Sequence, residues 1–155
     1  MKRTLITALL LMSAVIAAAE SSAAPALEDP ILPGMNLADA RIDYRAALKG
    51  LDWDISWDDW CLWGKKEDIE DVAYCFDDAG NLLTIEYNRR CPGDSWSEVY
   101  MELSDTLTDL MGPMTAVGGG DADFWSGNGW NAELSAKYLD EADGLDPVVH
   151  LEMYR

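Results

Sequence analysis

Asp52-Trp53-Asp54-Ile55-Ser56-Trp57-Asp58-Asp59-Trp60-Cys61-Leu62-Trp63 holds four of the chain's seven tryptophans, four aspartates and its first cysteine. Two periods compete within it. Trp53, Trp57 and Trp60 lie at i, i+4 and i+7, as on one helical face, whereas Trp53, Ile55 and Trp57 alternate as in a strand. Short length, β-prone aromatic residues and a hairpin downstream decide for a strand, kinked near Asp58-Asp59. The repeated aspartates invite a calcium loop. An EF-hand needs Gly at its sixth position and Glu at its twelfth, and counted from Asp52 these are Trp57 and Trp63, so that motif fails.

Immediately downstream, Lys65 to Asp71 is charged and reads as the loop between this strand and the next. Cys61 and Cys75 stand symmetrically about its centre, so antiparallel pairing sets them opposite each other as the expected disulfide. Cys91, between Arg89-Arg90 and Pro92-Gly93, is the alternative partner for either. These cysteines make a poor metal site, since no pair has Cys-x-x-Cys spacing and the only histidine, His150, is remote. Val72 to Phe76 and Leu82 to Tyr87 flank Asp77-Asp78-Ala79-Gly80-Asn81, a hairpin signal because Gly, Asn and Asp tolerate positive φ.

Upstream, Met1-Lys2-Arg3, an apolar run from Leu5 to Ala19 and the small residues Ala17-Ala18-Ala19 describe a secretory signal peptide over residues 1–19, too short to span a bilayer. Residues 20–33, rich in Ala, Ser and Pro, read as a flexible leader. Pro33-Gly34 then turns the chain and Asn36 caps a helix whose apolar face is Leu37, Ala40, Tyr44, Ala47, Leu48 and Leu51, ending near Gly50.

After Cys91, Pro92-Gly93 opens a second unit. Ser95 with Glu98 forms a capping box, and Trp96, Val99, Leu103, Leu107, Leu110 and Met111 trace one face of a helix that Gly112-Pro113 ends. Gly118-Gly119-Gly120 is a connector; it lacks the Lys-Ser/Thr ending of a phosphate loop. Phe124-Trp125 and Trp130 to Leu139 supply a strand region, Asp143-Gly144 turns the chain, and Val148 to Tyr154 is the last strand. The halves share a plan. The expected architecture is α+β, one domain over residues 34–155 built from pseudo-repeats 34–91 and 92–155. Two tandem helix-plus-hairpin units would have their helices packed on one face of a mainly antiparallel sheet.

Pro33-Gly34-Met35, the amphipathic helix and strand after it, and Phe76-Asp77-Asp78-Ala79-Gly80-Asn81-Leu82 together resemble the SmpA/OmlA envelope domain and the related β-lactamase-inhibitor-protein-like fold. The resemblance implies a protein-binding module of the bacterial envelope that contacts its partner through a sheet face or hairpin tips. It implies no transferable site residue, and the chain lacks the lipid-attachment cysteine of SmpA/OmlA proteins.

Charge narrows the partner. The chain has 29 Asp and Glu against 11 Lys and Arg, a net charge of −18, and loss of Lys2 and Arg3 with the signal makes this −20. Nucleic acid and anionic membranes are disfavoured, because binding either requires basic residues, and no membrane insertion is expected after signal cleavage. A cationic protein is attracted, with salt-sensitive kinetics. Hydrophobic residues make up 49% of the chain, which supports a packed core.

Catalysis is not expected, nor is a cofactor. His150 sits among Val149, Leu151 and Met153 in a terminal strand, away from any nucleophile-and-acid pattern. Asp58-Asp59 and Asp77-Asp78 are the carboxylate pairs that glycoside hydrolysis would need, and in so acidic a chain such pairs arise without function. The stretch admits two readings: Trp53 and Trp57 in the core with solvated aspartates between them, or some of Trp57, Trp60 and Trp63 exposed beside Asp54, Asp58 and Asp59. Trp57, Asp58, Asp59 and Trp60 are the expected partner-binding residues, since Trp anchors interfaces and stacks on cations. The expected function is that of an exported, periplasmic or secreted, acidic module that inhibits or neutralises a basic protein such as a cell-wall-active enzyme or toxin. A structural or assembly factor of the envelope is the alternative.

Overall fold

The computed structural model describes residues 27–117, 122–137 and 145–155. Helix α1 (Tyr44–Gly50) precedes strands β1 (Asp54–Trp57), β2 (Cys61–Lys66), β3 (Glu70–Phe76) and β4 (Leu82–Arg90). A 3-10 turn (Gly93–Ser95) leads into α2 (Trp96–Met111), which is followed by β5 (Ala116–Val117), β6 (Ala122–Gly127), β7 (Trp130–Lys137) and β8 (Val148–Tyr154). All eight strands form one antiparallel sheet in the order β1-β2-β3-β4-β8-β7-β6-β5.

Two tandem helix-plus-hairpin units packed on a sheet do not describe this molecule. β4 and β8 pair from Thr84 opposite Tyr154 to Arg90 opposite Val148, so one sheet runs unbroken through the middle. The helices are also unequal. α1 has 7 residues and packs on β1 and β2, whereas α2 has 16 and packs on β6, β7 and β8.

Local chemistry explains the other departures. Asn36 and Asp39 each turn a side-chain oxygen onto a nearby backbone N–H, that of Ala38 at 2.9 Å and of Arg41 at 3.0 Å. These isolated turns replace the first part of the expected helix, and Asp43 caps α1 by accepting from Ala46 N at 2.9 Å. The expected capping box of α2 does not form, because Ser95 Oγ donates to the Pro92 carbonyl at 3.3 Å. The glycine end is as expected, with Gly112 at φ 92°. Asn128-Gly129, at φ 55° and 79°, makes a tight hairpin turn between β6 and β7, where sequence had suggested one strand region. The signal segment, Gly118–Gly120 and Asp143-Gly144 lie outside the described residues.

Part of the expected leader is core. Leu27 and Leu32 are buried, and Glu28 bridges to Asn36. Asp29 fastens this strap by accepting from Ile31 N at 2.8 Å and Leu32 N at 3.0 Å through Oδ1. Its Oδ2 and the nearby Tyr74 hydroxyl are buried without a hydrogen-bond partner. Burial pushes the Asp29 carboxyl up to about 6.

One sheet face is the core. Leu62, Val72, Tyr74, Ile85, Leu134, Leu151 and Met153 alternate inward and meet Val99, Leu103 and Leu107 of α2 and Leu48 of α1. Gly64 sits here because a Cβ would lie 3.1 Å from Leu48, Trp53 and Val72 at once, so its lack of one lets α1 approach β2. The outer face carries Trp63, Ala73, Glu86, Glu152, Glu133 and Phe124 in one cross-strand row, and both helices pack on the core face.

Candidate functional site: an acid-rimmed tryptophan groove

The stretch expected to be one kinked strand is a hairpin. Asp58 makes the turn: its N–H donates to the Cys61 carbonyl at 3.1 Å, and Oδ1 accepts from Trp60 N at 3.0 Å and Cys61 N at 2.8 Å. Its Oδ2 accepts from Trp63 Nε1 at 2.7 Å. The two backbone N–H groups and the indole hold the Asp58 carboxyl below the usual carboxylate range.

Two further links fix this turn against the β3–β4 hairpin. Cys61 and Cys75 are disulfide-bonded, directly opposite in register, as their symmetric spacing predicted. Phe76 N donates to the Trp60 carbonyl at 3.0 Å. Asp77 shapes the second tip, with Oδ1 accepting from Ala79 N at 2.9 Å and Asn81 N at 2.7 Å, and Oδ2 from Asn81 Nδ2 at 2.9 Å. Asn81 is the main reason the Asp77 carboxyl is also depressed. Cys91, the other possible disulfide partner, is a buried free thiol whose ionisation burial opposes.

Between the two tips lies an open groove of about 460 Å³, lined by Trp57, Asp59, Trp60, Phe76, Asp77, Asp78 and Gly80. Trp57 is 61% exposed and Trp60 58% exposed, unusual values for so large an apolar side chain. Trp57 is nonetheless supported from below. It stacks on Phe76 with ring centroids 6.0 Å apart, Phe76 meets Tyr44 at 5.9 Å, and Tyr44 stacks on the buried Tyr74 at 4.4 Å. An aromatic chain thus runs from the rim of the sheet to the core beside Asp29.

Of the four expected site residues, Trp57, Asp59 and Trp60 line the groove. Asp58 does not, since both its oxygens hold the turn together. Trp53 is core, whereas Trp57 and Trp60 are exposed, which matches the second of the two readings of the stretch. Sequence reasoning missed Phe76 and Asp78. The signal was present, because the symmetry that pairs Cys61 with Cys75 also brings Trp60 beside Phe76.

His150 lies half-buried on the outer face, its Nδ1 2.8 Å from Asn88 Oδ1, and burial holds its pKa below the ordinary value. No group of three or more His, Cys, Asp or Glu among the described residues is arranged to hold a metal ion, and no described helix is long and apolar enough to cross a membrane. Comparison with family models, curated proteins and solved structures finds no match.

Proposed function

We propose that this chain is an exported protein-binding module that captures a basic protein through the groove formed by Trp57, Trp60 and Phe76, with Asp59 and Asp78 as its acidic rim. The observation that carries this reading is the pair of exposed indoles beside acids that do not build the turns. A guanidinium or ammonium group entering there would stack on an aromatic face, worth about 0.5–2 kcal/mol depending on desolvation. The chain's charge of −18 favours encounter with such a partner.

Inhibition or neutralisation of a cell-wall-active enzyme or toxin in the periplasm is the form of binding that the sequence resemblance supports. Catalysis is not part of the proposal. The test is capture of exported basic proteins on the immobilised chain at low and physiological salt, alongside the Trp57→Ala/Asp59→Asn variant. A basic protein retained by the native chain, released by salt and not retained by the variant supports the proposal. Identical retention by both proteins removes the groove from consideration. Envelope assembly components held at both salt concentrations would favour a scaffold instead.

A further inference from the structure

The outer sheet face holds a feature that the tryptophan groove does not use. Glu86 on β4 stands directly opposite Glu152 on β8, which stands directly opposite Glu133 on β7. Strands are about 4.8 Å apart, so three carboxylates line up over about 10 Å. Like charges directly opposite each other in a sheet are unfavourable. None of the ion pairs among the described residues involves these three; they join Arg41 to Asp39, Lys65 to Asp68 and Arg89 to Glu70.

Ser135 gives an independent sign of an unfinished contact. It lies two residues beyond Glu133 on the same face, opposite His150, and is 6% exposed. Its Oγ is buried without any hydrogen-bond partner. A buried hydroxyl of this kind normally has a partner, and leaving it alone costs about 1–3 kcal/mol. On one side Phe124 stands directly opposite Glu133, and on the other Ala73 stands opposite Glu86 with Trp63 one strand further out.

We propose that this face is a docking surface for a basic α-helix of a protein partner, lying across the strands with its Lys or Arg residues over Glu86, Glu152 and Glu133. Charge complementarity sets the sign, and spacing selects the shape. Side chains three or four apart on a helix sit about 5–6 Å from one another, close to the strand spacing beneath them. Same-face residues of an extended strand are about 6.6 Å apart and fall out of step over three positions. The surface is separate from the Trp57 groove, so either can fail alone.

The probe is a helix-forming peptide with Lys at i, i+4, i+7 and i+11, against a same-composition peptide whose lysines are spread around the helix. Binding is followed by fluorescence anisotropy at low salt. The striped peptide is expected to bind at least about tenfold more tightly than the scattered one. The Glu86→Gln/Glu133→Gln/Glu152→Gln variant is expected to lose that preference, and Trp57→Ala to keep it.

Equal binding of the two peptides, or an undiminished preference in the triple variant, would overturn the proposal. A footprint on the native protein guards against misfolding of the variant. Backbone amides of Glu86, Glu133 and Glu152 should shift on titration while those of α2 stay still, and the reverse pattern refutes the assignment. Spermidine that competes at equal charge concentration would make this a small-polycation site and would also overturn the helix.

Discussion

Replacing Asp29 by Asn should stabilise the protein at neutral pH. Asp29 is 2% exposed, and its Oδ1 holds the N–H groups of Ile31 and Leu32, while Oδ2 lacks a partner. Burial raises its pKa from 3.8 to about 6. A raised folded-state pKa means that the folded chain holds the proton more tightly than the unfolded one. This group's contribution is therefore greatest below the unfolded value of 3.8, is lost as pH climbs to about 6, and stays lost above that. A difference of about 2 units corresponds to roughly 3 kcal/mol of penalty at pH 7 to 8.

Asn retains an oxygen for the two N–H groups, removes the charge, and offers an N–H to the Tyr74 hydroxyl. Allowing for an imperfectly satisfied amide, a gain of about 1–3 kcal/mol at pH 8 is expected. Urea unfolding followed by tryptophan fluorescence, at intervals from pH 4 to pH 8, reads it directly. The variant's advantage over the native chain should grow between about pH 4 and 6 and then level off. Subtracting the two profiles removes the background from the other acids. A constant difference across that range, or a variant less stable at pH 8, would refute the claim that a buried charge is tolerated here.

Gly127→Ala should cost about 2–4 kcal/mol in the same unfolding assay, because its Cβ would lie 2.3 Å from the Met111 carbonyl at the end of α2; a loss under about 1 kcal/mol would mean that the β6–α2 contact yields easily. The Cys61→Ser/Cys75→Ser variant should lose up to about 3 kcal/mol for a loop of this length, and an unchanged unfolding midpoint would show that the surrounding hairpins suffice. Asp58→Asn should lower the thermal midpoint more than Asp59→Asn, while only Asp59→Asn weakens partner binding. Calorimetry and binding on the two variants separate these roles, and the opposite ranking would contradict the assignment of Asp58 to the turn.

The β2–β3 pairing was legible because it depends on spacing alone. Cys61 and Cys75 are equidistant from Asp68, and the observed register follows that symmetry. The strands run further than expected: Lys65 pairs with Asp71 and Lys66 with Glu70, leaving only Glu67, Asp68 and Ile69 as the loop. The Asp77-to-Asn81 turn was legible from its residue types. The Asp58 turn was not, because twelve residues carrying both a helical and an alternating period cannot show where a carboxylate folds back onto its own backbone. Asp58 and Asp59 are chemically alike, and only that turn geometry separates a structural acid from a free one.

Other features were hidden for different reasons. Leu27 and Leu32 belong to no periodic run, so their burial follows from tertiary packing and the Asp29 fastening. Asn128-Gly129 was a readable hairpin signal, left unread by grouping Phe124-Trp125 and Trp130 to Leu139 as a single strand region. The glutamate row emerges only once β4, β8 and β7 are placed side by side, since its members are distant in sequence. For the same reason, the similar plan of the two halves pointed to a shared antiparallel sheet but could not show that β4 and β8 are the strands that join them.

The most direct test of the central claim is the set of seven indole N–H signals in a proton–nitrogen NMR spectrum, followed during titration with a short arginine- and lysine-rich peptide. Trp57 and Trp60 line the groove, Trp63 is tied to Asp58, and Trp53, Trp125 and Trp130 are buried. Shifts concentrated at Trp57 and Trp60, saturable and weakened by salt, are the predicted result. Saturable binding that leaves both of those signals in place would contradict it.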